Sequence, residues 1–353
     1  RLVGTGAKVI WRLGNAGHEP TSVKKYGAWP PKDFAKWARI CDHIISHYNE
    51  GWADGFHYNI EYWEIWNEPD GDQKPLVDGK PRWQVAPHSW GGTMEQYYEF
   101  YSTVFKYLKK KHPDIKVGGP ANAGFWANEP FIKAMQDEGI KVDFFSWHRY
   151  SRNPETISEE GLKVRELLDR YGWNDVPTIL DEWNYVTGWD GDSNKYSSKV
   201  RRSIKGTAYT AAVLCHMQDV KCTDVLTYYD WRRHTTYNGA FDKQTNLETP
   251  TYYVFYNWNK LYQYGTQVKT AFKQKDIYAA AAKNKDGKVR LMVARFNDDD
   301  NAHTVKNIFV PVPEGCTEYE CTLSDSGHMN CVYPFEKHPK HGIKLTMEPN
   351  SVV

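Results

Sequence analysis

Charge of one sign is what this chain has least to spare. Lys and Arg number 45 against 44 Asp and Glu, a formal net charge of +1. Nucleic acid and anionic membranes are held largely by an excess of Lys and Arg, so neither is expected as a partner. No run of about 18 apolar residues occurs, which excludes a bilayer-spanning helix. Cys41, Cys215, Cys222, Cys316, Cys321 and Cys331 form no Cys-x-x-Cys pair and have no His at zinc-finger spacing, so no structural zinc is expected. A disulfide among Cys316, Cys321 and Cys331 stays open. No Gly-x-Gly-x-x-Gly follows a hydrophobic run, which removes the commonest dinucleotide site. Internal repeats and low-complexity linkers are absent, and Arg1-Leu2-Val3-Gly4 lacks the pattern of a secretory leader.

What is abundant is aromatic. Trp 15, Tyr 24 and Phe 14 make up 15% of 353 residues. Such an excess builds either a heavy core or flat stacking surfaces for a ligand with weakly polar faces, such as a sugar. The 25% charged and 40% hydrophobic fractions are those of an ordinary globular chain, long enough for one large domain and a small one.

Over residues 1–262, short β-like runs alternate with helical stripes. Ala7–Leu13 reads as a strand ending at Gly14, followed by a helical stripe of Phe34, Trp37, Ala38, Cys41, Ile44, Ile45 and Tyr48. Tyr62–Trp66 reads as a strand, and the stripe Tyr97, Tyr101, Val104, Phe105, Leu108 as a helix that Pro113 closes. Further strands are read at Ile115–Val117, Val142–Trp147, Thr178–Leu180 and Asp224–Tyr229, with helices near Glu129–Glu138, Glu159–Tyr171, Ile204–Met217 and Tyr252–Tyr262. The alternation signals a parallel sheet with helical crossovers, either part of a barrel or a doubly wound open sheet. Residues 263–353 change texture: Gln274–Lys283, Val289–Phe296, Thr304–Val312 and Gly342–Met347 are β runs separated by turns, a small all-β sandwich domain.

In a β/α barrel the reactive groups project from the carboxyl ends of strands. Those ends are Trp66-Asn67-Glu68-Pro69, Gly118-Gly119-Pro120-Ala121, Ser146-Trp147-His148-Arg149-Tyr150, Asp181-Glu182-Trp183-Asn184 and Tyr228-Tyr229-Asp230-Trp231. Glu68 and Glu182 stand out, and a pair of carboxyl groups, one protonated and one ionised, is what glycosidic bond cleavage needs. Alternation along the strand turns Asp181 away from Glu182, outward or toward a helix. Glu64 lies four residues before Glu68 on the same face and reads as a buried charge paired inside the barrel. His148 suits either the site or the core. Gly71–Gly92, with Trp83, His88 and Trp90, reads equally as a wall of the site or a solvated insertion.

These motifs resemble the clan of retaining (β/α)8 glycoside hydrolases, and within it glycoside hydrolase family 39, the family of β-xylosidases and α-L-iduronidase. The likeness continues through Glu95-Gln96-Tyr97-Tyr98, through His112–Ala121, through Val142–Tyr150 and through Thr249-Pro250-Thr251-Tyr252-Tyr253. The resemblance implies a TIM barrel whose third to eighth strands are present, the first two being supplied by an upstream segment. It implies Glu68 as acid/base, Glu182 as nucleophile and Asn67 as the amide holding the sugar 2-hydroxyl. His148 and Tyr150 would line the sugar site, and Tyr229 or Trp231 would form its floor.

The expected activity is that of a retaining, exo-acting, β-xylosidase-like glycosidase on an oligosaccharide or glycoside substrate. No metal or organic cofactor is implied, and an extracytoplasmic location, periplasmic or secreted, is expected ahead of a cytoplasmic one. The alternatives are a related glycosidase for an arabinoside, galactoside or uronide, or a non-catalytic carbohydrate-binding protein on a degenerate barrel. Arg12, Arg149, Arg232 and Arg233 are candidate partners for a uronate carboxylate, or surface ion pairs.

Overall fold

The computed structural model describes residues 2–14, 26–272, 274–312, 318–333, 335–338 and 342–353. The chain divides into two compact units, Arg1–Arg149 with Glu160–Glu182 and Thr223–Thr227, and Tyr150–Glu159 with Trp183–Cys222 and Tyr228–Val353.

A six-stranded parallel sheet gives the first unit its frame. Its strands are β1 (Ile10–Leu13), β2 (Tyr62–Ile65), β3 (Lys116–Asn122), β4 (Phe144–Tyr150), β5 (Thr178–Asn184) and β6 (Val225–Tyr228), the last residues of β4, β5 and β6 counting with the second unit. They are hydrogen-bonded in chain order, β1 to β6. A doubly wound sheet reverses its strand order at a switch point. This one never does, which leaves a curled half-barrel and removes the open-sheet alternative.

Helices α1 (Phe34–Asn49) and α2 (Met94–Lys111) follow the expected stripes. Asp33 caps α1 by accepting from the Lys36 N–H at 2.8 Å, and Thr93 caps α2 by accepting from Gln96. Glu95 in the first turn of α2 and Lys109, Lys110 and Lys111 in its last complement the helix dipole. Tyr97, Phe100, Tyr101, Val104, Phe105 and Leu108 are buried, each large apolar side chain contributing about 2 kcal/mol. Helix α3 (Asn128–Asp137) lies close to its expected span, and α4 (Pro154–Arg170) starts earlier than its apolar stripe suggested.

The second unit holds α5 (Gly191–Arg201), α6 (Ile204–Val220) and α7 (Pro250–Tyr262) together with the C-terminal strands. Helix α5 is missing from the periodicity reading because it has almost no apolar stripe. Its buried Ser197 is held instead by hydrogen bonds to the Thr187 N–H and the Ser193 carbonyl. Strands β7 (Thr266–Val268), β8 (Ile277–Lys283), β9 (Val289–Arg295) and β13 (Ser351–Val352) form one antiparallel sheet in the order β13-β9-β8-β7. Strands β10 (Lys306–Val310), β11 (Glu336–His338) and β12 (Gly342–Met347) form another, ordered β10-β12-β11.

Ile277, Ala279 and Val293 from the first sheet share one apolar cluster with Ile308, Ile343, Leu345 and Met347 from the second. Alternation is clean along β12, where Lys344 and Thr346 point away from that cluster. Gly342 begins β12 at φ +88°, where a Cβ would meet the Val310 carbonyl at 2.2 Å. Cys321 and Cys331 are free thiols, and Cys316 lies outside the described residues.

Candidate active site

The carboxyl end of β2 leaves the sheet through an unusual backbone. Trp66 at φ +71° and Glu68 at φ +45° are both left-handed, as is Ala121 at φ +54° beyond β3. Such residues cost about 1–3 kcal/mol each and persist only where their surroundings hold them. Trp66 donates its backbone N–H to Leu13 and its indole N–H to the Ser89 carbonyl, and its ring packs among Trp37, Trp90 and Phe100. Gly14 makes room for it, since a Cβ there would meet the Trp66 ring at 2.6 Å. Glu68 donates its backbone N–H to Ala121 at 3.0 Å. Two residues on, the buried Asp70 accepts from the Ala123 and Gly124 N–H groups at 2.9 and 2.8 Å, strapping the acidic loop to the end of β3.

Within this frame Glu68, His148 and Glu182 converge. His148 Nδ1 lies 2.8 Å from Glu68 Oε1 and 3.6 Å from Glu182 Oε2, and its Nε2 lies 3.3 Å from Asp181 Oδ1. One oxygen of each glutamate and one imidazole nitrogen fall within 4.8 Å of one another. Below them Arg12 spreads its guanidinium over three carboxylates: Nε to Glu64 at 2.5 Å, Nη1 to Glu182 Oε1 at 2.8 Å and Nη2 to Asp181 at 2.6 Å. The β1–β2 register sets Arg12 directly opposite Glu64.

The charges in this cluster govern one another. Burial first, and then the neighbouring Asp181, push Glu64 up to about 7 against the pull of Arg12. Burial also acts upward on Asp181, but His148, Arg12 and the Glu64 hydrogen bond outweigh it and hold Asp181 low. For His148, burial favours the neutral ring, yet Glu182 and Asp181 hold the imidazolium well above the usual histidine range. Asp70 is pushed up to about 7, by burial first, against its backbone hydrogen bonds and with Glu68 nearby.

Of the expected site residues, Asn67, Glu68, His148 and Glu182 lie in the first unit, with Asn67 and His148 buried beside the carboxylates' strands. Tyr150, Tyr229 and Trp231 fall in the second, where Tyr150 and Tyr229 pack on Tyr237 and Trp231 packs on Phe255. Asp181 corrects the alternation argument. At the strand end the longer Glu182 side chain turns toward Nη1 while Asp181 reaches Nη2, so one guanidinium collects both.

Trp66, Trp147 and Trp183 are buried at 2%, 1% and 0% exposure and belong to the core, not to a stacking surface. Gly71–Gly92 is anchored at its base, while the stretch from Lys74 to Lys80 is largely exposed. The fully buried Asp72 accepts from the His88, Ser89 and Trp90 N–H groups on one oxygen and from Arg82 on the other.

Each arginine weighed for a uronate has a partner within the chain. Arg12 serves the carboxylate cluster, Arg149 pairs with Glu160, Arg232 pairs with Asp230, and Arg233 lies over Phe241. The structuring role of Arg12 could have been read from a charged residue set between Trp11 and Leu13 in a strand, since a buried guanidinium requires carboxylates.

Residues 17–318 match the glycosyl hydrolases family 39 sequence profile. A β-xylosidase from Geobacillus stearothermophilus is 23% identical over 313 residues, covering 75% of this chain and 55% of that protein. One from Caldicellulosiruptor saccharolyticus is 28% identical over 179 residues, covering 44% of this chain and 31% of that protein. The chain thus spans about half the length of the first relative and about a third of the second. Among solved structures, a glucosidase from Croceicoccus marinus superposes with a TM-score of 0.71 at 19% identity, covering 99% of this chain and 78% of that one. A monomeric β-xylosidase from Caulobacter crescentus CB15 does so with a TM-score of 0.68 at 16% identity, covering 99% and 81%. Profile, relatives and fold agree: the chain belongs to glycosyl hydrolases family 39.

Proposed function

We propose that this chain carries the machinery of a retaining exo-glycosidase acting on β-xylosides, on a (β/α)8 barrel of which β1 to β6 are the third to eighth strands. The observation that carries the reading is the closeness of Glu68 and Glu182, whose facing oxygens lie within 4.8 Å. Retaining enzymes place their two carboxyl groups about 5–5.5 Å apart, whereas inverting enzymes leave about 6.5–9.5 Å for a water. The sugar named for both curated relatives supports xylose as the substrate, and a polymer-derived substrate favours a location outside the cytoplasm.

Glu182 attacks the anomeric carbon, and the glycosidic bond breaks as Glu68 gives its proton to the departing oxygen. Glu68 then takes a proton from water, whose oxygen displaces Glu182 from the glycosyl ester. Arg12 on Oε1 of Glu182 aims the nucleophile, leaving Oε2 toward the reacting face. His148, between the two glutamates, carries a positive charge that steadies each carboxylate in turn.

The test is azide rescue. Glu68→Ala with an activated aryl β-xyloside and azide is expected to yield the β-glycosyl azide. An α-azide, or free xylose of inverted configuration from the unsubstituted protein, would overturn retention. No turnover of any aryl glycoside would overturn the activity itself.

A further inference from the structure

We propose that Glu68, His148 and Glu182 form a binding site for one divalent transition-metal ion, zinc being the best fit, and that the bound ion holds the site inactive. Zinc takes imidazole nitrogen and carboxylate oxygen at about 2.0–2.2 Å, which sets its tetrahedral ligands about 3.3 Å apart. His148 Nδ1 stands 2.8 Å from Glu68 Oε1 and 3.6 Å from Glu182 Oε2, so those two pairs need shifts of a few tenths of an ångström, while the glutamate oxygens, within 4.8 Å of each other, close by up to about 1.5 Å. The three donors come from the ends of three different strands and are aimed at one point.

The surroundings of two ligands are already those of a metal site. A metal-binding histidine typically gives its other ring nitrogen to a carboxylate, which fixes the ring and raises its basicity. His148 Nε2 faces Asp181 Oδ1 at 3.3 Å, and the second oxygen of Glu182 is held by Arg12 Nη1 at 2.8 Å. Charge favours a cation as well. Asp181 and Glu182 share Arg12, the one permanently charged cation of the cluster among the described residues, and Glu68 adds a third carboxyl group beside His148. The ion takes the place of the proton that His148 Nδ1 shares with Glu68. One nitrogen with two oxygens selects a borderline ion such as zinc over magnesium or calcium, which prefer oxygen alone. Glu68, partly exposed, leaves an open coordination position for water or a sugar hydroxyl.

Zinc binding stands on these side chains alone; the inhibition rests on the hydrolysis proposed above. Zinc chloride titrated into the full chain by calorimetry is expected to show one site, lost in both His148→Gln and Glu182→Gln. Zinc-edge X-ray absorption of the unsubstituted protein is expected to show nitrogen and oxygen ligands and no sulfur. That spectrum stands even if a variant fails to fold. Zinc retained by both folded variants, or a sulfur ligand from a cysteine, would overturn the site. At zinc ten times its dissociation constant, aryl xyloside turnover is expected to fall about tenfold and to return with a chelator. Full turnover by the zinc-loaded protein would overturn the inhibition while leaving the site. A protein that binds zinc at these ligands yet hydrolyses no glycoside would overturn the hydrolase reading alone.

Discussion

Two charge clusters, one in each unit, are balanced in opposite ways. In the second unit's clusters the carboxylates meet fixed cations. Asp276 is held by Arg295 and Lys306, while Asp298 and Asp300 share Lys205, with Arg152 also on Asp298. In the first unit a single guanidinium serves Glu64, Asp181 and Glu182, and the remaining balance is settled by protons on Glu64 and His148. Fixed pairs have one arrangement and hold a fold together. A cluster whose neutrality depends on protons can give and take them, which is the requirement of acid–base chemistry.

The widest separation between the units is expected from Glu182→Gln. It should lower aryl xyloside turnover by at least ~10³-fold while hardly moving the urea midpoint, because it removes a reacting group and not a packing contact. Arg12→Met comes next, since it strands carboxylates that share one cation. A loss of about 3 kcal/mol in urea-derived stability is expected, with turnover falling in parallel. A stability change below ~1 kcal/mol would mean that protons alone can neutralise the cluster.

Asp276→Asn sharpens the contrast from the other side. It should cost about 1–3 kcal/mol by leaving the buried Arg295 under-partnered, with turnover per folded molecule unchanged. Burial raises Asp276, but its hydrogen bonds from Lys306 and Arg295 outweigh that and hold it below the ordinary value. Its stabilisation is therefore present above the unfolded carboxylate value, about 3.9, and lost as pH falls through the lower folded value. Urea unfolding followed below about pH 4 should accordingly be flatter in the Asn variant. The smallest effect is expected from Lys195→Ala at the exposed Lys195–Asp192 pair, within ~0.5 kcal/mol by thermal melting. A larger loss there would blur the distinction between exposed and buried pairs.

The order of strands and helices was legible because most crossover helices carry an apolar stripe and most strands a hydrophobic run. Helix α5 escaped because hydroxyl hydrogen bonds, not an apolar face, secure it. The approach of Glu68 to Glu182 was legible because both were read at the carboxyl ends of strands, although β5 runs on through Glu182 to Asn184. Arg12 was visible only as a possible uronate contact or surface ion pair, because its partners come from β2 and β5, and pairing across strands is a tertiary property. Asp181 was misread because alternation describes where a side chain starts, not where a longer neighbour bends. Whether Trp66, Trp147 and Trp183 serve the core or a stacking surface was not legible, because motif adjacency says nothing about which face a ring buries.

Asp72 has a consequence for how this fold could diversify. Its two carboxylate oxygens rivet both ends of the Gly71–Gly92 segment, leaving the short hairpin of Leu76–Val77 and Lys80–Pro81 outside the rivet. Leu76 at that tip is 65% exposed. The tip can therefore be exchanged, lengthened or grafted as an independent cassette while Trp66 keeps its hydrogen bond to Ser89. Inheritance of new rims on an old floor would then require only that one aspartate be kept.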